Sequence, residues 1–159
     1  MKEIKTNAMR ILDKKKIPYE VIQYDCEAFV DGIATADHCG IPYEQSFKTL
    51  VTQGKSKNYY VYVIPIAKEL DLKKAAKSVG EKSVEMIHVK DITSVTGYVR
   101  GGCSPLGMKK NFKTVIDLSA LAQETIVISG GRIGSSLRLN PNDLIRVVNA
   151  LSIDICRAE

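Results

Sequence analysis

The sequence lacks the residues and spacings that a metal centre requires. Its 159 residues include no tryptophan, two histidines and four cysteines. No two cysteines form a C-x-x-C pair, which argues against a zinc knuckle or a thioredoxin-like site. We therefore expect no metal and no cofactor, and reduced thiols of the kind found in the cytosol. The four cysteines are Cys26, Cys39, Cys103 and Cys156.

Long apolar runs are also missing. No run approaches the roughly 18 residues that a membrane span needs. The first segment, MKEIKTNAMRIL, lacks the apolar stretch of a signal peptide. We therefore expect a soluble, cytoplasmic protein that does not enter a membrane. Its net charge of +5 suits an anionic partner such as RNA.

The usual catalytic signatures are absent as well. The sequence has no G-x-S-x-G elbow, no G-x-x-x-x-G-K-[ST] phosphate loop and no H-E-x-x-H zinc motif. A serine triad would need His38 or His88 as its base, and neither lies in an informative context. The residues thus offer no conventional nucleophile, metal site or strong base.

Hydrophobic periodicity predicts helices and strands that are interspersed without strict alternation. Helices are expected at four capped or terminated stretches, namely 6–18, the segment before Gly40, 69–80 and the segment after Asn140. Hairpins are expected at 48–65 and 125–139, and an apolar strand covered on both faces at 59–66. Ile145, Val148 and Leu151 are expected to face the core from the last helix. This order favours an α/β fold of the mixed, α+β-like kind around one curved sheet.

A lysine at the start of the first hairpin is the first candidate functional residue. In a strand over SFKTLVTQG, Lys48 shares a face with Leu50 and Thr52. One interpretation is a lysine whose stem lies on apolar surface while its ammonium reaches water. The other is an ammonium at the rim of a pocket, where it meets a phosphate or a carbonyl group. Thr49 would then add a hydroxyl.

Two glycine loops are further candidates. In RGGCSPLG, Gly101 and Gly102 allow a close backbone approach, and Pro105 stiffens a loop that can direct N–H groups at an anion. An ordinary turn fits the same residues. Cys103 is either a small packing residue or a thiol activated by nearby cations.

The second glycine loop is ISGGRIG, which leaves a strand and precedes another strand. It therefore fails the context test of a dinucleotide fingerprint, which needs a helix there. Ser129, Gly130 and Gly131 either line a cleft or form a bulged hairpin.

Three segments, in this order and at fitting intervals, resemble the YbaK/EbsC family of trans-editing aminoacyl-tRNA deacylases. They are SFKTLVTQG, TGYVRGGCSPLGMKK…TVIDLSALAQETIVISGGRIG and LNPNDLIRV. This family is related to the editing domain of bacterial prolyl-tRNA synthetases. The resemblance runs from about residue 6 to about residue 150. It implies one domain over residues 1–159, of mixed α/β fold around a curved, largely antiparallel sheet.

The resemblance also implies the site residues. The family's signature lysine falls on Lys48, which it marks as the catalytic residue. The residues implied to bind substrate are Tyr24, Phe29, Thr49, Gly101, Gly102, Cys103, Pro105, Ser129, Gly130 and Gly131. Two departures touch this pocket: the segment 25–39 differs in length and character, and Ser135 and Ser136 stand where many members carry an acidic or amide residue.

The activity implied by the resemblance is hydrolysis of mischarged tRNA, best exemplified by Cys-tRNA(Pro). The thiol of the mischarged cysteine attacks its own ester, and the protein orients the ester and polarises its carbonyl. The N–H groups of Gly101 to Cys103 would favour the oxyanion, and Lys48 would hold the terminal phosphate or other polar groups. The expected partners are the acceptor end of tRNA and prolyl-tRNA synthetase.

Three alternatives stay open at this point. The pocket of a non-catalytic binding module would hold a nucleotide or an aminoacyl group without turnover. A thiol enzyme would use Cys103 as its nucleophile. A deacylase of different specificity would act on alanine or another small amino acid.

Overall fold

In a computed structural model that describes residues 5–25 and 31–158, helices and strands are interspersed without strict alternation, as predicted. No α-helix of these residues exceeds eight residues, and none is long and apolar enough to cross a membrane. The five α-helices described are α1 (Asn7–Lys14), α2 (Gly32–Cys39), α3 (Leu72–Val79), α4 (Ile92–Thr96) and α5 (Pro141–Val148). The strands are β1 (Glu20–Gln23), β2 (Phe47–Gly54), β3 (Tyr59–Pro65), β4 (Val84–Met86), β5 (Lys113–Asp117), β6 (Ile126–Arg132), β7 (Ser135–Leu139) and β8 (Leu151–Ile153).

The strands form two hydrogen-bonded sheets that meet along one edge. Five strands pair in the order β4-β2-β3-β5-β8, and three pair in the order β1-β7-β6. A bridge between Ser46 and Val127 joins the two sheets just before β2 begins. The pairs β3–β5 and β5–β8 are parallel, and the other pairs between these strands are antiparallel. The predicted mixed α/β fold with largely antiparallel strands is confirmed, but the strands divide between two sheets instead of forming one.

The central strand β3 is covered on both faces, as its continuous apolar run predicts. Val63 faces a core cluster shared with α1, β6 and α5, whereas Tyr62 and Ile64 face a second cluster under α3. All three side chains are fully buried. The Tyr62 hydroxyl donates to Ala75 O at 2.9 Å, so the buried phenol stays hydrogen-bonded.

The first helix is capped as predicted and also holds the second glycine loop. Thr6 Oγ1 accepts a hydrogen bond from Met9 N at 3.2 Å, which satisfies a free N–H of the first turn. The same hydroxyl donates to Gly130 O at 2.5 Å. One threonine thereby fixes α1 against the end of β6, where the cleft described below lies.

The end of the last helix differs from the prediction. Asn140 is the N-cap and Pro141 the first helical residue, as expected. However, Asn149 takes a left-handed conformation with φ of 53°, so the helix stops before Leu151. Leu151 lies instead in β8 and is 41% exposed, and the prediction that it faces the core is wrong. Leu144 is the fully buried residue of this helix.

Candidate functional site

A cleft of about 570 Å³ lies where the two sheets meet. Its walls come from β2, β6, β7, the start of α2, the segment after β4 and the loop that follows α4. Of the residues predicted from sequence, six line it: Tyr24, Lys48, Thr49, Gly101, Cys103 and Ser129. Segments far apart in the chain, including β2 and the two glycine loops, therefore share one concave surface.

The other predicted residues have different positions. Phe29 lies outside the described residues. Four others are not among the residues that line the cleft: Gly102, Pro105, Gly130 and Gly131. Of these, Gly102, Pro105 and Gly130 are buried. They can therefore affect binding only indirectly, through the backbone conformation of the two loops.

Gly102 lets the first glycine loop lie against the β6–β7 hairpin. A β-carbon at this position would come within 2.9 Å of Arg132 Cα and 3.1 Å of Ile133 N. The Gly102 N–H donates to Val99 O at 3.0 Å within the loop. This N–H group is therefore already used, and the candidate donors toward a ligand are those of Gly101 and Cys103.

The second glycine loop is a bulged hairpin in which Ser129 reaches the cleft. Ser129 pairs with Ser136 of β7, and the register then shifts before Arg132. Gly131 has φ of +99°, a conformation that glycine adopts without strain. A β-carbon on Gly130 would lie 2.9 Å from Ser135 Oγ. The glycines thus form the bulge, and the hairpin interpretation is confirmed.

Lys48 is half-buried and anchored inside the cleft. Its Nζ donates to Ile66 O at 3.3 Å, which uses one of the three N–H groups of the ammonium. Burial lowers the pKa of Lys48 below its ordinary value, and the negative charge of Glu69 acts in the opposite direction. A partly desolvated ammonium with remaining donors is suited to bind an anionic or carbonyl oxygen.

Thr49, the next residue of β2, also lines the cleft and carries a hydroxyl. Its Oγ1 is buried and has no hydrogen-bond partner among the residues that the structure describes. A buried hydroxyl without a partner loses free energy relative to a paired one, so it is a candidate contact for a bound ligand.

Cys103 lacks the properties of an activated thiol. Burial raises the pKa of Cys103 to about 11, and a hydrogen bond with Thr96 lowers it by a smaller amount. The thiol is therefore protonated at neutral pH. Because the thiolate is the nucleophile, this environment argues against a catalytic cysteine.

An apolar wall, which sequence analysis did not predict, lies along one side of the cleft. It is formed by the end of β4 and the turn after it, where Met86 and Val89 are 46% and 55% exposed. Ile87 and Ile92 complete it. Short segments without clear periodicity carry these side chains, so no pattern in the sequence marks them as a group.

Asp31 and Ser136 are two further polar residues of the cleft that sequence analysis did not select. Asp31 is the N-cap of α2, and this local role is enough to explain an aspartate at that position in the sequence. Ser136 was noted only as a departure from the family pattern. Its position opposite Ser129 across the β6–β7 ladder is what brings it to the cleft.

Comparisons with known proteins agree on one family. The model of the aminoacyl-tRNA editing domain matches residues 29–147. EbsC of Enterococcus faecalis, described as a candidate Cys-tRNA(Pro)/Cys-tRNA(Cys) deacylase, is 42% identical over 156 residues, which are 98% of this chain and 95% of that protein.

Two crystal structures share the fold. A hypothetical protein, APE2540, superposes with a TM-score of 0.88 at 20% identity over 96% of this chain and all of that one. A candidate trans-editing enzyme for prolyl-tRNA synthetase superposes with a TM-score of 0.83 at 21% identity, over 98% of this chain and all of that one. Because the family model matches residues 29–147 and EbsC is 42% identical over nearly the whole chain, this chain belongs to the aminoacyl-tRNA editing domain family.

Proposed function

We propose that this protein is a trans-editing deacylase that removes cysteine from mischarged Cys-tRNA(Pro). The observation that carries the proposal is that Lys48, Gly101 and Cys103 line one cleft, in which no described residue is an activated nucleophile. The description of the 42% identical relative as a candidate Cys-tRNA(Pro)/Cys-tRNA(Cys) deacylase supports it.

The proposed reaction uses the thiol of the substrate. Its sulfur attacks the carbonyl carbon of its own ester and forms a cyclic thioester. The bond from that carbon to the ribose oxygen breaks, and the proton lost by the thiol ends on the released tRNA hydroxyl. Water then opens the thioester to give free cysteine. The protein supplies no covalent group, so its task is to orient the ester and stabilise the oxyanion.

The cleft residues divide this task. Gly101 and Cys103 line the cleft, and their N–H groups would stabilise the developing oxyanion. Lys48, anchored on Ile66 O, would hold the terminal phosphate or another polar group of the substrate. The apolar wall of Met86 and Val89 offers a surface for a flat or apolar group.

Binding of tRNA would be largely electrostatic. Arg100 lines the cleft, and exposed lysines lie on the same loop and on α3. Each contact with a phosphate releases counterions, so the affinity should fall as salt rises. The exposed lysines of this loop and of α3 are Lys73, Lys77, Lys109 and Lys110.

Prolyl-tRNA synthetase is the proposed partner that would supply recognition of the tRNA.

The test is deacylation of tRNA(Pro) charged separately with cysteine, alanine, serine or proline at one salt concentration. We expect fast loss of cysteine and slow loss of the three amino acids without a thiol. Efficient cleavage of the alanine ester, with the cysteine ester ignored, would replace this proposal by the alanine alternative. Binding of the charged tRNA without any cleavage would favour a non-catalytic module.

A second prediction separates the substrate thiol from the protein's own. Changing Cys103 to alanine should leave kcat/KM for Cys-tRNA(Pro) within about fivefold of the wild type, whereas loss of a true nucleophile costs about a thousandfold or more. The measurement is single-turnover deacylation of both proteins on the same tRNA preparation. A loss of the larger size would identify Cys103 as the nucleophile.

A further inference from the structure

An aminoacyl ester carries a positive charge that the proposed mechanism leaves unassigned. Its α-amino group is an ammonium that lies next to the reacting carbonyl. A cation held in a partly desolvated cleft needs a charged or hydrogen-bonding partner. The following inference rests on the proposed function and concerns the group that binds this ammonium.

Asp31 is the only carboxylate among the described residues that line the cleft. Lys48 and Arg100 are the strongly basic residues in the same set. The cleft therefore presents both signs of charge. The 3′ end of a charged tRNA does the same, since it has an ammonium on the amino acid and phosphates on the nucleotides.

The carboxylate of Asp31 is held in place by its own helix. Its Oδ1 accepts a hydrogen bond from Ala34 N at 2.8 Å as the N-cap of α2. This bond uses one oxygen, and an ionised carboxylate has about four acceptor positions. Among the described residues no other hydrogen bond or ion pair to this exposed carboxylate is found, so its second oxygen is available to a ligand.

The first turn of α2 is also fixed relative to Lys48. A β-carbon at Gly32 would come within 2.8 Å of Ile66 Cγ2, so the glycine lets this turn lie against Ile66. The carbonyl of the same isoleucine accepts the hydrogen bond from Lys48 Nζ. Ile66 thus carries the contact of α2 and the anchor of the ammonium, which holds Asp31 and Lys48 on neighbouring parts of one wall.

We propose that Asp31 binds the α-ammonium of the aminoacyl group and thereby makes the site selective for esters with a free amino group. Asp31 is then a specificity-determining residue that contacts the substrate beside the ester. Esters that lack the amine would lose this ion pair and bind in a less defined orientation.

The test combines Asp31→Asn with a substrate that lacks the amine. Asparagine is as good an N-cap as aspartate, so α2 keeps its start while the charge is lost. The two substrates are Cys-tRNA(Pro) and the same tRNA esterified with 3-mercaptopropionate, which keeps the thiol. The wild-type preference for the cysteine ester should fall by about 10- to 100-fold in Asp31→Asn, as expected for a hydrogen bond to a charged group. Comparing the ratio in both proteins cancels the intrinsic reactivity of each ester.

Asp37→Asn is the matched control on the same helix. Asp37 accepts a hydrogen bond from the Tyr43 hydroxyl at 2.6 Å and does not line the cleft, so the preference should be unchanged. An unchanged preference in Asp31→Asn would overturn the inference and leave the proposed function intact. If the unchanged preference came with equally lower rates on both esters, the role of Asp31 would be structural. Failure of the wild type to cleave the cysteine ester would overturn the proposed function and the inference together.

Discussion

Replacing Lys48 by alanine is expected to lower kcat/KM for Cys-tRNA(Pro) by about 100-fold. The reason is the loss of a half-buried ammonium inside the cleft, because hydrogen bonds from charged groups contribute about 1.5–3 kcal/mol. Among residues 5–25 and 31–158, only Ile66 O accepts a hydrogen bond from this ammonium, at 3.3 Å, so further N–H groups remain for a ligand. The measurement is single-turnover deacylation at fixed salt, together with the affinity for the charged tRNA.

Two further variants at this position separate charge from packing. Methionine keeps most of the apolar stem of Lys48 and removes the ammonium, so it should behave like alanine. Arginine keeps a charge but needs more room, so it should restore part of the activity. Thermal unfolding of all three proteins provides the control for folding. Wild-type activity in Lys48→Ala would identify this residue as a lysine that merely reaches toward water.

Replacing Gly102 by alanine is the second change from which we expect a large effect. The added β-carbon would lie 2.9 Å from Arg132 Cα and 3.0 Å from Arg132 C. These are backbone atoms, so a rotation of a side chain cannot relieve the clash. The loop must move away from the β6–β7 hairpin, and a displacement of about 1 Å in a catalytic group costs about 100-fold in rate. The free energy of unfolding should fall by about 1–3 kcal/mol.

Gly80→Ala provides the matched control for this prediction. Gly80 ends α3 with φ of +75°, and no atom lies within 4 Å of a β-carbon built there. Alanine in the left-handed conformation costs about 1–2 kcal/mol. Gly80 is not among the residues that line the cleft, so the control should lose a similar amount of stability and keep its deacylation rate. Equal rates in Gly102→Ala and the wild type would show that the loop does not position the ester.

Local features of the fold were predictable because local physical chemistry sets them. The N-cap hydroxyl of Thr6 and the glycine that ends α3 act within one turn of their own helix. The apolar run of β3 signals burial on both faces whatever strands flank it. One local signal is misleading: the apolar period of the last helix extends to Leu151, whereas the helix ends at Asn149.

The contacts within the candidate site could not be predicted from local sequence patterns. A glycine pair and a strand lysine were recognisable as unusual, and family resemblance grouped them. No pattern within one segment records that the Lys48 ammonium meets a carbonyl 18 residues further along the chain. In the same way, the atoms nearest to a β-carbon built on Gly102 are backbone atoms of Arg132, on a hairpin that follows β5 in the chain.

The sequence therefore specifies the helices, most strands, the mixed α/β class and the family, since these follow from short-range periodicity, capping and recognisable segments. The composition and the contacts of the cleft depend instead on how the two sheets pack. This packing brings β2, the start of α2 and both glycine loops to one cleft, and it commits the Gly102 N–H to Val99. It also places Asp31 beside that cleft. These relations depend on contacts between segments distant in the chain, whose geometry arises only when the buried faces pack together.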